Sequence, residues 1–237
     1  MTPDQNFGDG AHRADAYSPD TAARIMLRPV ASSLPLGFLA FGVASTLLTC
    51  LQLHWVEVGS SHQLALLALV FAVPLELLAA VFAFLARDAG AACALSVFAG
   101  VWAGTSLLLA TGTPGKPSPV MAVFLLTMVP VMLLLFVAAL QGKPLFAALL
   151  LLGAVRFVLT GAYEAGAPAA VQTVAGWFGV ALGVFALYGG LALILEDGAS
   201  RTVLPLGRRG HARTSLQGRL SDQLRDTARE AGVRRQL

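Results

Sequence analysis

Long apolar runs, broken by short polar or proline-glycine punctuation, set the layout of this chain. After a polar stretch ending at residue 33, the first run is LPLGFLAFGVASTLLTCLQL, residues 34–53, opened by a proline where a missing amide proton is harmless. Further runs cover about 63–86, 90–110, 119–140, 145–161 and 169–195. Between them lie the His54–His62 stretch, an Arg87-Asp88 turn, the breaker-rich GTPGKPSP, a Gln141-Gly142-Lys143-Pro144 turn and the Glu164–Pro168 stretch. Ala175 to Leu195 is 21 residues without a charge, just enough at about 1.5 Å per residue to cross a hydrocarbon core of about 30 Å. The pattern predicts an all-α membrane protein: six transmembrane helices, 34–195, arranged around a central path within each subunit, with Pro74 and Pro130 inside the second and fourth helices.

Composition agrees with that class. Hydrophobic residues make up 57% of the 237 and charged residues only 12%, against about 25% charged in soluble domains. Lys and Arg set the orientation. One side of the bundle would hold Arg24, Arg28, Arg87, Lys143 and Arg201 onward, and the other only Lys116. Both termini are therefore expected in the cytosol of a multi-pass protein of the cytoplasmic membrane. Residues 1–33 form the N-terminal tail and lack an apolar core of signal-peptide type. Residues 196–237 form a basic C-terminal tail, with eight arginines from Arg208 onward against Asp222, Asp226 and Glu230. Leu216, Leu220 and Leu224 fit either a helix along the anionic inner leaflet or a disordered positive tail. Nothing aromatic is interleaved there, so nucleic acid is not an expected partner; membrane lipid is.

Candidate chemistry is sparse. Cys50 and Cys93 lie in apolar spans and offer neither a disulfide framework nor metal-ligand spacing, so both are expected to be small core residues. His12, His54, His62 and His211 all fall outside the spans, and no nucleophile and base share a site. No metal, cofactor or enzymatic activity is expected. Two ionisable residues remain inside the spans, Glu76 in the second and Arg156 in the fifth. Each costs about 2.5–3.5 kcal/mol at a helix centre and must face protein or water. They either pair with each other or with backbone carbonyls to make the fold, or line a conduction path, where Glu76 would bring protons in as a partner and make flux depend on pH. In the last span Gly176, Gly179 and Gly183, with Ala175 and Ala186, leave one face nearly bare of side chains. That face packs closely against a helix of the same subunit or of a neighbouring one.

The last span also carries a resemblance. Ala175, Gly176, Trp177, Gly179, Gly183, Ala186 and Tyr188, followed by Arg201-Thr202-Val203-Leu204-Pro205 and Gly207, resemble the final helix and tail of the acetate uptake transporters, the succinate-acetate permease family. Pro35, Leu36 and Gly37 match the second half of that family's Asn-Pro-Ala-Pro-Leu-Gly opening, whereas Ser32, Ser33 and Leu34 replace the first half. Glu76, Ala79, Ala80 and Ala83 fall where relatives have Gln, Ala, Gly and Glu, and Trp102 falls on a family tryptophan. The resemblance implies a narrow apolar constriction at Phe41, Phe98 (a tyrosine in relatives) and Gly153 (a leucine), the last followed by Phe157.

What the resemblance implies is a permease or anion channel moving acetate or a similar short monocarboxylate, succinate included, and assembling as a homo-oligomer, a hexamer in the family. An apolar ring suits that substrate: it rejects hydrated inorganic ions by dewetting, while acetate presents its methyl group. Two other classes stay open, a non-transporting scaffold or sensor that keeps the fold, and a channel for a neutral solute such as urea.

Overall fold

The computed structural model describes residues 31–199 and 201–207. Among these residues there are six long helices and no strand: α1 (Leu34–Gln52), α2 (Ser61–Leu85), α3 (Ala89–Thr111), α4 (Pro119–Ala139), α5 (Pro144–Glu164) and α6 (Ala169–Ala199), with a short 3-10 turn at Val58–Ser60. All six are long and apolar enough to cross a membrane. The segment up to residue 30 and the basic tail from residue 208, assigned above to the cytosol, lie outside the described residues.

Local chemistry sets the helix starts. Proline stands in the first turn of α1, α4 and α5, where its missing N–H removes nothing. The Asp88 carboxylate accepts from Ala91 N–H at 3.2 Å to cap α3, and the Ser118 hydroxyl accepts from Met121 N–H at 3.3 Å to cap α4. Helices α5 and α6 run on to Glu164 and Ala199, past the ends at about 161 and 195 expected from the apolar runs. A carboxylate at a helix end does not stop the helix when protein takes it up: Glu164 accepts from Ser118 N–H at 2.7 Å, and Glu196 is buried.

Each helix packs on its sequence neighbours, and α6 returns to α1, closing a ring; the α3–α4 seam is the slightest. Small residues bring the helices together. A Cβ at Gly176 would come within 2.6 Å of Leu53, and one at Gly190 within 2.9 Å of Leu39. The bare face of the last span is thus taken up by α1 of the same chain. Helices α2 and α3 meet through Ala79, Ala80, Ala83, Ala91 and Ala92. Helix α4 is the least buried, with Leu134 72% exposed, as suits contact with lipid. Cys50 is half-buried, but Cys93 faces outward, so it is not the core residue its apolar span suggests; the packed face of α3 is the alanine face.

The two ends of the ring differ. At the end formed by the α1–α2, α3–α4 and α5–α6 connections, a His62 ring nitrogen lies 3.0 Å from the Gly112 carbonyl, and Glu164 reaches Ser118. The opposite end is tied more tightly. Lys143 forms an ion pair with Asp88. The Tyr188 hydroxyl donates to the Pro205 carbonyl at 3.0 Å, Leu206 is buried, and Gly207, at φ 65°, lies against Pro144. Glycine at that position avoids both the strain of a positive φ and a clash with the proline ring.

Candidate functional site

Inside the ring lies a cavity of about 70 Å³, room for several waters. Helices α1, α3, α4, α5 and α6 all contribute to its wall. It extends from Phe41 and Phe98 in mid-helix to half-exposed Glu164 and Gln172 at the end away from the Lys143–Asp88 pair.

The deep end is aromatic. Phe41 and Phe98 have ring centroids 4.8 Å apart and tilted by 58°, and Trp102 meets Phe41 edge-on with centroids 5.8 Å apart and the planes at 64°. Such tilted arrangements are favourable for aromatic quadrupoles and hold the rings in place. Gly153 lines the same cavity from α5, and a Cβ there would meet nothing within 4 Å. The structure therefore brings Phe41, Phe98, Trp102 and Gly153 together. The other motif residues position helices: a Cβ at Gly37 would collide with Leu95 of α3, Gly176 admits α1, and Tyr188 holds the 201–207 segment. Pro35 and Leu36 stand at the start of α1, and Trp177 is 57% exposed, facing out of the ring.

One wall is polar, and Arg156 is its centre. Its guanidinium is buried and donates from Nη1 to the Ser45 hydroxyl at 2.6 Å, and from Nη2 to the Thr49 hydroxyl at 3.1 Å and to Gln52 Oε1 at 2.7 Å. Gln52 Nε2 then donates to the Thr160 hydroxyl oxygen at 3.0 Å. The guanidinium lies in the groove over Gly179, where a Cβ would come within 2.5 Å of its central carbon and would also collide with the Thr49 hydroxyl. All of these partners are neutral, so the hydrogen bonds offset desolvation but leave the positive charge uncompensated.

Glu76 stands elsewhere. It is fully buried on α2, and among the described residues no ion pair joins it to Arg156. It does not line the cavity. The Trp102 indole faces it, yet among the described residues neither of its oxygens makes a hydrogen bond of normal geometry. Ser45, Thr49 and Gln52, spaced by four and three residues along one face of α1, are readable in the sequence as a polar stripe; attention to ionisable groups alone passes over them.

Residues 14–207 match the GPR1/FUN34/yaaH family. The solved structure of the bacterial acetate channel SatP has a similar fold, with a TM-score of 0.68 at 21% sequence identity, over 76% of this chain and 100% of that one. No curated protein matches the chain. The matched region takes in all six helices and the 201–207 segment, and the chain belongs to the GPR1/FUN34/yaaH family of acetate uptake transporters.

Proposed function

We propose that the protein carries acetate and similar short monocarboxylates across the cytoplasmic membrane, along a path within each chain that runs through the cavity and past the Phe41–Phe98 neck. The observation that carries this reading is one cavity joining an aromatic floor to a buried cation with only neutral partners. An anion gains from the charge, and its methyl group gains from the rings. A urea-like solute would gain from neither, and a scaffold has no use for an uncompensated charge beside a cavity. One cation suits one carboxylate, so monocarboxylates are preferred over succinate, whose second carboxylate would meet the neck. Glu76 stands behind Trp102 and has no part in this path. A path within one chain does not depend on the hexameric assembly.

Arg87, Lys143 and Arg201 stand at the tied end and Lys116 at the other, a distribution that by the positive-inside rule favours a cavity mouth outside the cell. Full-length protein in liposomes is expected to take up labelled acetate faster than succinate or urea. Uptake equal to that of protein-free liposomes would sink the reading in favour of a scaffold, and faster urea uptake would favour the neutral-solute class.

Glu164 is the acidic residue of the lining. It follows Arg156 by eight residues on one helix, a rise of about 12 Å. Its charge at the mouth disfavours an anion about 12 Å away, at the level of Arg156, by a factor of about two in a water-like dielectric and about ten at an effective constant of 20, and one nearer the mouth by more. Glu164→Gln keeps an oxygen for Ser118 N–H and is expected to raise acetate uptake at neutral pH by about two- to tenfold, with the larger gain at low salt. A lower rate than wild type at low salt would contradict that role.

A further inference from the structure

The hydroxyl protons of the polar wall are not all used. Ser45 donates to the Gly179 carbonyl at 3.3 Å and Thr49 to the Ser45 carbonyl at 2.7 Å, so both hydroxyls are spoken for. Thr160 differs: its oxygen accepts from Gln52, while its own proton has no recipient among the described residues. The direction of this chain is fixed. Gln52 must turn Oε1 to the guanidinium, which has only donors, and therefore turns its NH₂ to Thr160. Each bond polarises the next, so the Arg156 charge makes the Thr160 hydroxyl a stronger donor than an isolated threonine. On α3, the Thr105 hydroxyl is also buried and has no partner among the described residues. Both threonines line the cavity.

We propose that the cavity binds a carboxylate anion at the Thr160 hydroxyl, with Thr105 as a second donor and Arg156 supplying the field through Gln52, while the alkyl end points to the Phe41, Phe98 and Trp102 rings. The station rests on the carboxylate path proposed above and adds to it a defined binding step ahead of the neck. The neck alone would sort solutes by size and apolarity. The station sorts them by charge, and it prefers acetate to acetamide, a neutral molecule of nearly the same shape.

The test compares uptake of acetate and acetamide by the full-length protein in liposomes across concentration. Thr160→Val removes the hydroxyl at nearly constant volume and is expected to lower the acetate-over-acetamide preference by about tenfold, as for loss of one hydrogen bond to a charged group. The change should appear mainly as a higher half-saturating acetate concentration. Thr160→Ser restores the donor and the preference, which a purely structural role for Thr160 does not predict. Thr105→Val lowers the preference in the same direction from α3, and it remains readable if Thr160→Val fails to assemble. Wild-type preference in an assembled Thr160→Val protein, or in Thr105→Val where the former is misassembled, overturns the station while leaving the carboxylate path standing. Wild-type protein that passes no carboxylate overturns the path, and the station with it.

Discussion

Adding one methyl group at Gly179 is expected to dismantle the polar wall and with it much of the protein's stability. A Cβ there occupies the space of the Thr49 hydroxyl and comes within 2.5 Å of the Arg156 guanidinium, both of which sit between α1 and α6. Neither can move away freely. Thr49 is held by the Ser45 carbonyl at 2.7 Å, and Arg156 is tied to three residues of α1. The helices must therefore part, or the guanidinium must leave partners that offset its burial. Breaking such a buried charged network costs about 3–5 kcal/mol. For a chain of this size that lowers the thermal midpoint by at least about 6 °C, and acetate uptake should fall with it. Gly100→Ala is the control, because a Cβ there meets nothing within 4 Å and alanine favours the helix. A Gly179→Ala protein that melts and transports as wild type does would show that the guanidinium is not locked in this groove.

The part of this molecule that the bilayer dictates was legible in the sequence. Six spans follow from apolar runs of sufficient length, since any backbone in hydrocarbon must satisfy its own hydrogen bonds. Helix ends are less legible: the apolar runs end before Glu164 and Glu196, yet both lie within their helices, Glu164 accepting from Ser118 N–H and Glu196 buried. The glycine face of the last span was visible as a close-packing surface, but the sequence does not name its partner. Only the fold shows that α1 fills it and that a guanidinium lies in the groove.

The same limit applied to the site. Arg156 and Glu76 stood out because charges in a span are costly, but periodicity does not say whether two such residues on different helices meet. They do not. Arg156 turns to the uncharged stripe Ser45, Thr49 and Gln52, and Glu76 to the back of Trp102. Polar residues without charge are cheap enough in a membrane helix to pass as filler, since a serine or threonine can bond to its own backbone. What distinguishes Thr160 and Thr105 is a bond they do not make among the described residues, and that is visible only in the folded chain.

Gly153→Leu is expected to turn a permissive path into one restricted to the smallest acids. Gly153 lines the same cavity as the aromatic neck, and a Cβ there would meet nothing within 4 Å beyond the backbone of its own helix. A leucine side chain can therefore enter without displacing packed neighbours, so the variant should fold, and replacing glycine within a helix is itself favourable. The added carbons come at the expense of a free space of about 70 Å³. Arg156 lies one turn further along α5 and keeps its bonds to α1, so attraction for the carboxylate persists while the room for its alkyl chain shrinks. In wild type, propionate and butyrate are expected to pass alongside acetate. In Gly153→Leu, acetate uptake should fall severalfold and butyrate uptake by at least about a further tenfold, the penalty expected when a well-packed site must accept extra methylenes. Competition sharpens the comparison: butyrate should inhibit labelled acetate uptake in wild type and lose that ability in the variant. An unchanged butyrate-to-acetate ratio in a correctly assembled Gly153→Leu protein would place the path elsewhere than between α5 and the Phe41–Phe98 rings.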